Sequence, residues 1–340
     1  MPEAPTGLRV LVTGGAGYVG SHIVRDLIAA GHRVTVFDNL YSGHEWAVPG
    51  AELEIGDLGD RQRLERVLSA ASFDAAIHCA GHIWVGESVR HPAKYYFNNA
   101  SNAFRFFDHC AQYGIRHVVF SSTAAVYGQP DVELIDEDQP LRPINPYGAS
   151  KLMAERALQD IAAAAGLGYA ILRYFNVAGA DAAARIGEAT PNNSHLVKVA
   201  LETAIGLRPA MHVNGTDYPT PDGTCVRDYV HVDDLAAAHV LALHHLVGGG
   251  EPLIANCGYG HGFSVREVIE AVRRVTGIDI PVQSGPRRPG DPAVLVADNR
   301  RLCRTLGWRP AGNSLDAIVG SAWRFEQALQ SLRGGLAKTG

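Results

Sequence analysis

The sequence predicts an α/β protein in which a doubly wound parallel sheet carries a smaller C-terminal lobe. Short β-branched runs alternate with helical segments in the first half of the chain, which is typical of parallel sheets with helical crossovers. A glycine cluster follows the first of these runs, and the alternation stops near residue 176. With 340 residues, of which 46% are hydrophobic, the chain can build one large core or two coupled ones.

The first half supplies the predicted sheet. Because strands that alternate with helices are joined by right-handed crossovers, they lie parallel and side by side. The predicted strands are Leu8–Thr13, Arg33–Phe37, Asp74–His78, Arg116–Ser121 and Tyr169–Tyr174. The predicted helices are Tyr18–Ala30, Arg61–Ala70, Ala93–Tyr113 and Tyr147–Ala165.

The second half has a different pattern. Segments 176–194 and 212–226 are rich in Gly, Pro, Asn and Asp, which predicts long loops of functional importance. Helices are predicted at Asp233–Leu246, Val265–Thr276, Asn299–Leu306 and Leu315–Leu329, with a short strand at Leu253–Asn256 and a frayed tail at Gly334–Gly340. We therefore expect a domain over residues 1–176 and mainly a lobe over 177–340, with some later segments returning to the first domain.

Composition and charge narrow the possible functions. Thirty Lys and Arg against 35 Asp and Glu give a net charge of −5, which argues against a nucleic-acid-binding surface. No apolar run is long enough to span a membrane, and the N-terminus lacks the basic and apolar regions of a signal peptide. The five cysteines are scattered, and the 15 histidines form no HExxH motif. We expect a cytoplasmic protein without a metal site.

The glycine cluster has the spacing of a dinucleotide site. Gly14, Gly17 and Gly20 follow a predicted strand and open a predicted helix. Such a turn lets the backbone approach a pyrophosphate at the helix N-terminus, where N–H groups and the helix dipole favour anions. Asp38 ends the second strand, 18 residues after Gly20, where a carboxylate accepts from ribose hydroxyls and repels a 2′-phosphate. The pattern predicts a Rossmann-type domain that binds NAD in preference to NADP.

Two further positions lie at the expected ligand edge of the sheet. Asp57 falls where the next loop should pass the adenine, although a loop or capping aspartate explains it equally well. Ala80 follows the third predicted strand, and the carboxyl ends of strands face the ligand in open α/β sheets.

A tyrosine and a lysine on one helix suggest acid–base chemistry. Tyr147 and Lys151 are four residues apart, so both project from the same helix face. A nearby ammonium should lower the pKa of the phenol, and the lysine can also hold the nicotinamide ribose. Thr123 ends the fourth predicted strand and could share the proton of the reacting oxygen. Together the three residues would form a general base for carbinol oxidation beside a hydride acceptor.

These motifs resemble the extended short-chain dehydrogenase/reductase family. The matching stretches are TGGAGYVG at 13–20, Asp38-Asn39, SST at 121–123 and YGASK at 147–151. Others are similar to the UDP-sugar 4-epimerases of that family, namely residues 85–89, 173–176, 217–220, 222–224, 226–232 and 286–291. The likeness runs from about residue 8 to about residue 328. It implies a homodimer that pairs helices near residues 93–113 and 147–165 into a four-helix bundle.

The resemblance also implies a reaction and its residues. C4 of a UDP-hexose would be inverted through a transient 4-keto sugar, with Tyr147 taking the hydroxyl proton while hydride passes to NAD. Expected NAD contacts, with the glycines above and Ala80, are Tyr18, Val19, Asp38, Asn39, Asp57, Leu58, Asn98, Tyr147, Lys151 and Phe175. Thr123, Tyr147 and Lys151 form the expected catalytic set. Expected substrate contacts are Thr123, Tyr147, Asn176, Asn193, Arg227, Arg288, Asp291 and Leu295.

The substrate positions have suitable chemistry. Arg227 and Arg288 are fork-shaped donors that can clamp a diphosphate, although each could instead be a surface ion pair or a loop clamp. Asn176 and Asn193 can meet hydroxyl or phosphate oxygens, and Asp291 can accept from the uridine ribose.

Three positions depart from the common family pattern. Ile83 stands where a lysine is common, so a cationic contact is missing or is replaced by His82. Thr123 replaces serine and keeps the hydroxyl. Leu295 stands where a tyrosine often walls off the sugar C2 group. This smaller wall should admit UDP-GlcNAc and UDP-GalNAc.

The same residues also bear on three related functions. A 4,6-dehydratase needs an acidic pair after the strand-four hydroxyl, but Ala124 and Ala125 follow Thr123 here. A UDP-pentose 4-epimerase for xylose and arabinose needs the same machinery and remains an alternative. So does a non-catalytic NAD-sensing module, although it has no need of the Thr123, Tyr147 and Lys151 set.

Overall fold

A seven-stranded parallel sheet, covered by helices on both faces, forms the centre of the protein in a computed structural model that describes residues 5–191, 193–288 and 291–336. The predicted fold class is confirmed. In these residues the strands are β1 Arg9–Thr13, β2 Arg33–Asp38, β3 Glu52–Ile55, β4 Ala75–His78, β5 His117–Thr123, β6 Leu134–Ile135, β7 Gly168–Tyr174, β8 Asn176–Ala178, β9 Met211–Asn214, β10 Val226–Arg227, β11 Tyr229–His231, β12 Leu253–Cys257, β13 Phe263–Ser264, β14 Val282–Gly285 and β15 Val294–Ala297.

The α-helices of the same residues are α1 Tyr18–Ala29, α2 Arg61–Ala70, α3 Val85–Arg90, α4 Pro92–Tyr95, α5 Asn102–Gln112, α6 Pro146–Ala165, α7 Leu196–Ala204, α8 Val232–Val247, α9 Val265–Thr276, α10 Arg300–Leu306 and α11 Leu315–Leu336. Short 3-10 turns occur at Glu45–Ala47 and Ala124–Val126, and a π-helical turn spans Tyr96–Ser101.

The strand order of the large sheet is β12-β7-β5-β4-β1-β2-β3, and every neighbouring pair is parallel. Successive side chains of a strand point to opposite faces, so a strand covered on both faces is apolar throughout. In β1, Val10 and Val12 pack with Ile23 and other α1 residues, while Leu11 joins a second cluster that includes Phe106. Parallel pairing brings the carboxyl ends of all seven strands to one edge of the sheet.

Several element predictions need correction. Strand β3 was not predicted, because its four residues include two glutamates, are not buried and lie at the sheet edge. The helix predicted over residues 93–113 starts at Pro92 and contains the wider turn at Tyr96–Ser101. Helix α7 was also missed. The predicted loops contain β8 and most of β9, which pair with strands distant in sequence.

The lobe is built from small sheets. A four-stranded sheet has the order β13-β10-β15-β6, and two-stranded sheets pair β11 with β8 and β14 with β9. Strand β12, however, pairs with β7 and completes the large sheet. The boundary at residue 176 stays a prediction, and residues 337–340 of the predicted frayed tail lie outside the described residues. Among the helices that the structure describes, none has the length and apolarity to cross a membrane.

Candidate active site

A cavity of about 1300 Å³ lies at the carboxyl edge of the large sheet, between that sheet and the lobe. Its walls come from the loops after β1, β2, β4 and β5 on one side. On the other side they come from residues within 174–191, 193–199 and 208–229, from Arg288 and from residues within 291–295. We call the first side the cofactor end and the second side the substrate end. Except for the buried Lys151, all residues predicted for the site line this one cavity.

The glycine turn at the cofactor end is shaped by close backbone contacts. Gly14 has a φ of +71°, and a Cβ built on it would lie 2.5 Å from the Ala80 nitrogen. A Cβ on Gly20 would lie 2.2 Å from the Gly14 carbonyl oxygen. Gly17 precedes α1 and provides no capping side chain, and it lines the cavity together with the first three residues of the helix. Free N–H groups at this position suit a pyrophosphate.

Asp38 is held in place beside this turn. Its two carboxylate oxygens accept from the Ala16 N–H at 3.0 Å and from the Leu40 N–H at 2.8 Å. Burial raises the pKa of Asp38, and these two hydrogen bonds oppose the rise. Asn39 donates to Asp57 at 2.6 Å. The pair fixes two polar side chains along the path that the adenosine of a dinucleotide would take.

The predicted catalytic residues meet at the centre of the cavity. Thr123 ends β5, and Tyr147 is the second residue of α6. The helix is capped by Asn145, whose side chain accepts from the Gly148 N–H at 2.9 Å. Helix α6 packs closely against the 3-10 turn at Ala124–Val126. A Cβ on Gly148 would lie 2.4 Å from the Ala125 carbonyl oxygen, so only glycine allows this approach. The Lys151 ammonium donates to the Ser121 carbonyl oxygen at 2.7 Å.

The pKa values of this set correct one expectation. Burial raises the pKa of Tyr147, and a hydrogen bond with the Thr123 hydroxyl opposes the rise. The direction of the shift is therefore opposite to the lowering expected from Lys151. Burial also lowers the pKa of Lys151 to about 8, so the side chain is mainly an ammonium at neutral pH and loses its charge as the pH rises through that value. The phenol needs further positive charge nearby to act as a base.

Arg227 lies at the substrate end and is only 7% exposed. It donates to the Pro292 and Val226 carbonyl oxygens, each at 2.7 Å, and forms an ion pair with Asp291. The next residue of the same motif, Asp228, has a structural role instead. Asp228 is fully buried and accepts from the N–H groups of Tyr259 and other residues, so it holds loops together and does not face the cavity.

Arg288 is exposed, and its guanidinium lies 3.1 to 3.2 Å from the Asn214 amide, whose oxygen accepts from it after an amide flip. Asn193 is buried at 1% exposure, and its side-chain nitrogen has no partner within the described residues. An unpaired buried donor is costly, so this amide is suited to a ligand oxygen. Pro289 and Gly290 of the predicted 286–291 motif lie outside the described residues.

Sequence reasoning missed several cavity residues. His212 and Asn214 lie on β9, and Glu188 and His195 form a pair 3.3 Å apart. The available signal for β9 was the short MHVN run within a predicted loop, and four residues are too few to establish a strand period. The others occupy irregular backbone, where sequence carries no periodic signal.

His82 does not replace the missing lysine as a cation near neutral pH. His82 packs edge-on against Tyr41, with ring centroids 5.2 Å apart, and burial lowers its pKa, so the imidazole is neutral. Lys94 lies beyond them and donates to Glu87 at 2.8 Å and to the Tyr41 hydroxyl at 3.3 Å. Ile83 itself lines the cavity.

A parallel sheet with a glycine turn for a dinucleotide, and a Tyr-Lys pair beside it, defines a class of protein, the dehydrogenase-like enzymes that act on an alcohol or its ketone. Comparison with known proteins refines this assignment. Residues 10–258 match the NAD dependent epimerase/dehydratase family.

Individual proteins are similar over nearly the whole chain. The UDP-glucose 4-epimerase of Azospirillum brasilense is 53% identical over 323 residues, which cover 95% of this chain and 93% of that protein. The crystal structure of the Brucella ovis UDP-glucose 4-epimerase in complex with NAD has a TM-score of 0.91 and 43% identity, covering 94% and 98% of the two chains. The UDP-Glc/GlcNAc 4-epimerase of Campylobacter jejuni has a TM-score of 0.84 and 43% identity, covering 95% and 100%. The chain belongs to the NAD dependent epimerase/dehydratase family.

Proposed function

We propose that this protein is an NAD-dependent 4-epimerase that interconverts UDP-galactose and UDP-glucose. The observation that carries the proposal is the meeting of Thr123 and Tyr147 in one cavity, between a dinucleotide turn on one side and Arg227 and Arg288 on the other. The relatives described above support the same activity.

The cofactor end has the groups that NAD requires. Gly14 and Gly20 allow a tight turn, since a Cβ on either residue would strike backbone, and a turn without these side chains can approach a pyrophosphate closely. Asp38 presents a carboxylate to ribose hydroxyls. The Lys151 ammonium has three hydrogens and uses one on Ser121, which leaves donors for the nicotinamide ribose. When bound, NAD supplies a hydride acceptor and donor, and a positive charge near the phenol.

Tyr147 would act as the general base at the C4 hydroxyl. Because burial raises its pKa, the phenol needs positive charge beside it to become a phenolate near neutral pH. Thr123 lies close enough to influence the phenol and has a hydroxyl that can hold the reacting oxygen. The same phenol would return the proton after inversion, so the residue ends each turnover as it began.

Inversion requires hydride to return to the opposite face of C4, so the sugar must turn while the nucleotide stays bound. We assign that anchoring to Arg227, Arg288, Asn193 and Asn176, which lie at the substrate end. Asp291 holds the Arg227 guanidinium and remains available to a ribose hydroxyl. Since the diphosphate carries most of the charge of the substrate, its clamp can retain the nucleotide during the turn.

The direct test is to incubate the purified protein with UDP-galactose and to measure UDP-glucose by chromatography. Tyr147→Phe should lower kcat by about a thousandfold or more, since it removes the base, while bound NAD is retained. Full activity in Tyr147→Phe would refute the assigned base. No product from the wild-type protein would refute the proposed reaction and favour a non-catalytic NAD-sensing module.

A wider substrate range rests on Leu295. This side chain lines the cavity from β15, next to Arg227 on β10, and has no hydroxyl and a smaller reach than tyrosine. We infer that UDP-GlcNAc and UDP-GalNAc are also substrates, and the similarity to an enzyme described as a UDP-Glc/GlcNAc 4-epimerase supports this. A competition assay with UDP-galactose, UDP-GlcNAc and UDP-xylose would rank hexose, N-acetylhexosamine and pentose. Absence of turnover with UDP-GlcNAc would contradict the inference.

We also propose that the protein is a homodimer. Phe106 and Phe107 are fully buried, but Phe97 is 71% exposed, and Phe104 and Met153 are partly exposed on the adjacent α5 and α6. Exposed apolar side chains on two neighbouring helices favour a partner helix pair. Sedimentation should give twice the 36.4 kDa chain mass, and Phe97→Asp should shift it toward the monomer. A wild-type monomer would contradict the proposal.

A further inference from the structure

A buried chain of hydrogen bonds connects α8 to the Lys151 ammonium. The Ser121 carbonyl oxygen accepts from Lys151 at 2.7 Å, and the hydroxyl of the same Ser121 lies 2.6 Å from His239 Nε2. Ser121 and His239 are fully buried, and Lys151 is 3% exposed. His239 lies on α8, and this helix packs on β5 and β7.

The surroundings of His239 decide which atoms carry the protons. Its Nδ1 lies 2.9 Å from the Leu235 carbonyl oxygen, which can only accept, so Nδ1 carries the hydrogen. His239 Nε2 is then the acceptor, and the Ser121 hydroxyl donates to it. Burial lowers the pKa of His239 to about 4, which keeps this neutral form across the physiological range.

The chain extends from Ser121 to the cavity. Cys79 Sγ lies 3.4 Å from the Ser121 hydroxyl oxygen, whose hydrogen is already used, so the thiol must donate. Burial raises the pKa of Cys79 to about 11, which keeps the thiol protonated. Cys79 lines the cavity at the end of β4. Each polar atom of this chain therefore has a defined partner, from the Leu235 carbonyl to the cavity wall.

We propose that His239 is a positioning residue for the reaction. It fixes the side chain of Ser121, and thereby the peptide whose carbonyl oxygen holds the Lys151 ammonium near Tyr147. The inference rests on the proposed function. Five groups face Lys151: His78 at the end of β4, Cys79 directly after it, Phe120 of β5, Glu155 of α6 and His239 of α8.

None of these neighbours offers Lys151 a free anion. Glu155 is paired bidentately with Arg173, His78 and His239 are neutral, and the Cys79 thiol is protonated. The Ser121 carbonyl is therefore the hydrogen-bond acceptor of Lys151 within the described residues. A shift of this carbonyl moves the ammonium relative to the phenol, and small displacements in catalytic geometry have large effects on rate.

The test compares His239→Leu, Ser121→Ala and the double variant, with His239→Gln as the conservative replacement. His239→Leu should lower kcat about tenfold with an unchanged KM, since the ammonium is misplaced but the nucleotide clamp is intact. The limb of the kcat–pH profile that reports phenolate formation should move upward by about half a pH unit or more. His239→Gln supplies a side-chain oxygen to Ser121 and should restore both. His245→Leu, on the same helix, is the matched control.

If the two residues act through one hydrogen bond, the double variant should lose no more than the worse single variant. Additive losses, a raised KM with unchanged kcat, or an unmoved pH limb in an active His239→Leu protein would overturn the proposal. Should His239→Leu fail to fold, Ser121→Ala should show the same loss of kcat and the same movement of the pH limb, while His239→Gln should show neither. A wild-type protein without epimerase activity would remove the proposed function, whereas an active wild type with unaffected variants would remove the positioning role alone.

Discussion

The cofactor end of the cavity is shaped mainly by backbone, whereas the substrate end is formed mainly by side chains. At the cofactor end, Gly14 and Gly20 shape the site with backbone, and their neighbours lie within a buried seven-stranded sheet. At the substrate end, Arg227 and Arg288 act with side chains, on two-residue strands and loops. The difference indicates that dinucleotide binding depends on the integrity of the fold, whereas substrate choice depends on a few side chains that can change without loss of the fold.

The largest expected effect tests the backbone character of the cofactor end. Gly20→Ala places a Cβ 2.2 Å from the Gly14 oxygen, so the turn must open. We expect NAD affinity to fall by about a hundredfold or more, which is on the order of 3 kcal/mol, in calorimetric titration of the apoprotein. Gly320→Ala, also within a helix but with its nearest neighbouring atom 3.7 Å from the added Cβ, is the control and should retain affinity. Equal affinities for the two variants would contradict the comparison.

Arg227→Lys should separate the two ends. An ammonium cannot reproduce the bidentate fork, so we expect KM for UDP-galactose to rise by about tenfold to a hundredfold with NAD affinity unchanged. Steady-state kinetics with the titration described above measure both. Arg61→Lys changes the same residue type at an exposed pair with Glu65 and should leave KM as in the wild type. A loss of NAD affinity in Arg227→Lys would show that the ends are coupled.

Loss of the Lys151 charge at high pH should affect stability and activity in opposite directions. Its pKa is about 8 in the folded apoprotein and about 10.4 when unfolded, so between these values the unfolded chain binds more protons. The free energy of unfolding should therefore rise with pH, by at most about 1.4 kcal/mol per pH unit, while kcat falls as the ammonium is lost.

Lys151→Met removes the titrating group and isolates this effect from other residues. The difference in unfolding free energy between wild type and Lys151→Met, measured by urea denaturation from pH 8 to 10, should change in favour of the wild type. A difference that is constant over this range would mean that the pKa of Lys151 is not lowered in the folded protein.

The smallest effect concerns the substrate end alone. Leu295→Tyr should lower the ratio of kcat/KM for UDP-GlcNAc to that for UDP-galactose by about tenfold, because the larger wall meets the N-acetyl group. Leu295→Met keeps the size and is the matched control. An unchanged ratio in Leu295→Tyr would indicate that another wall limits the C2 group.

The same contrast explains what sequence could predict. The strands β1, β2, β4, β5 and β7 and the glycine turn follow from local patterns, since buried parallel strands are continuously apolar. The small sheets were not predicted, because β9 pairs with β14 and β10 with β15 across some 65 residues or more of chain. Their pairing depends on tertiary context and not on local periodicity.

The residues of the site also differ in whether a local sequence pattern identifies them. Asp38, Tyr147 and Lys151 were identified from spacing on regular elements, and they lie at the cavity or directly behind it. The direction of the pKa change of Tyr147 was wrong, because burial was not visible in the sequence. Asn214 beside Arg288, and His239 behind Ser121, depend on contacts between distant segments and have no local signal.

The position of β12 in the large sheet has a consequence for biosynthesis. A ribosome releases β7 long before Leu253–Cys257, so the emerging sheet has an open edge until some 80 further residues have been made. An uncovered parallel edge is a surface on which nascent chains can associate. Translation speed between these two strands, or a chaperone that shields β7 meanwhile, should thus set the yield of correctly folded protein in the cell.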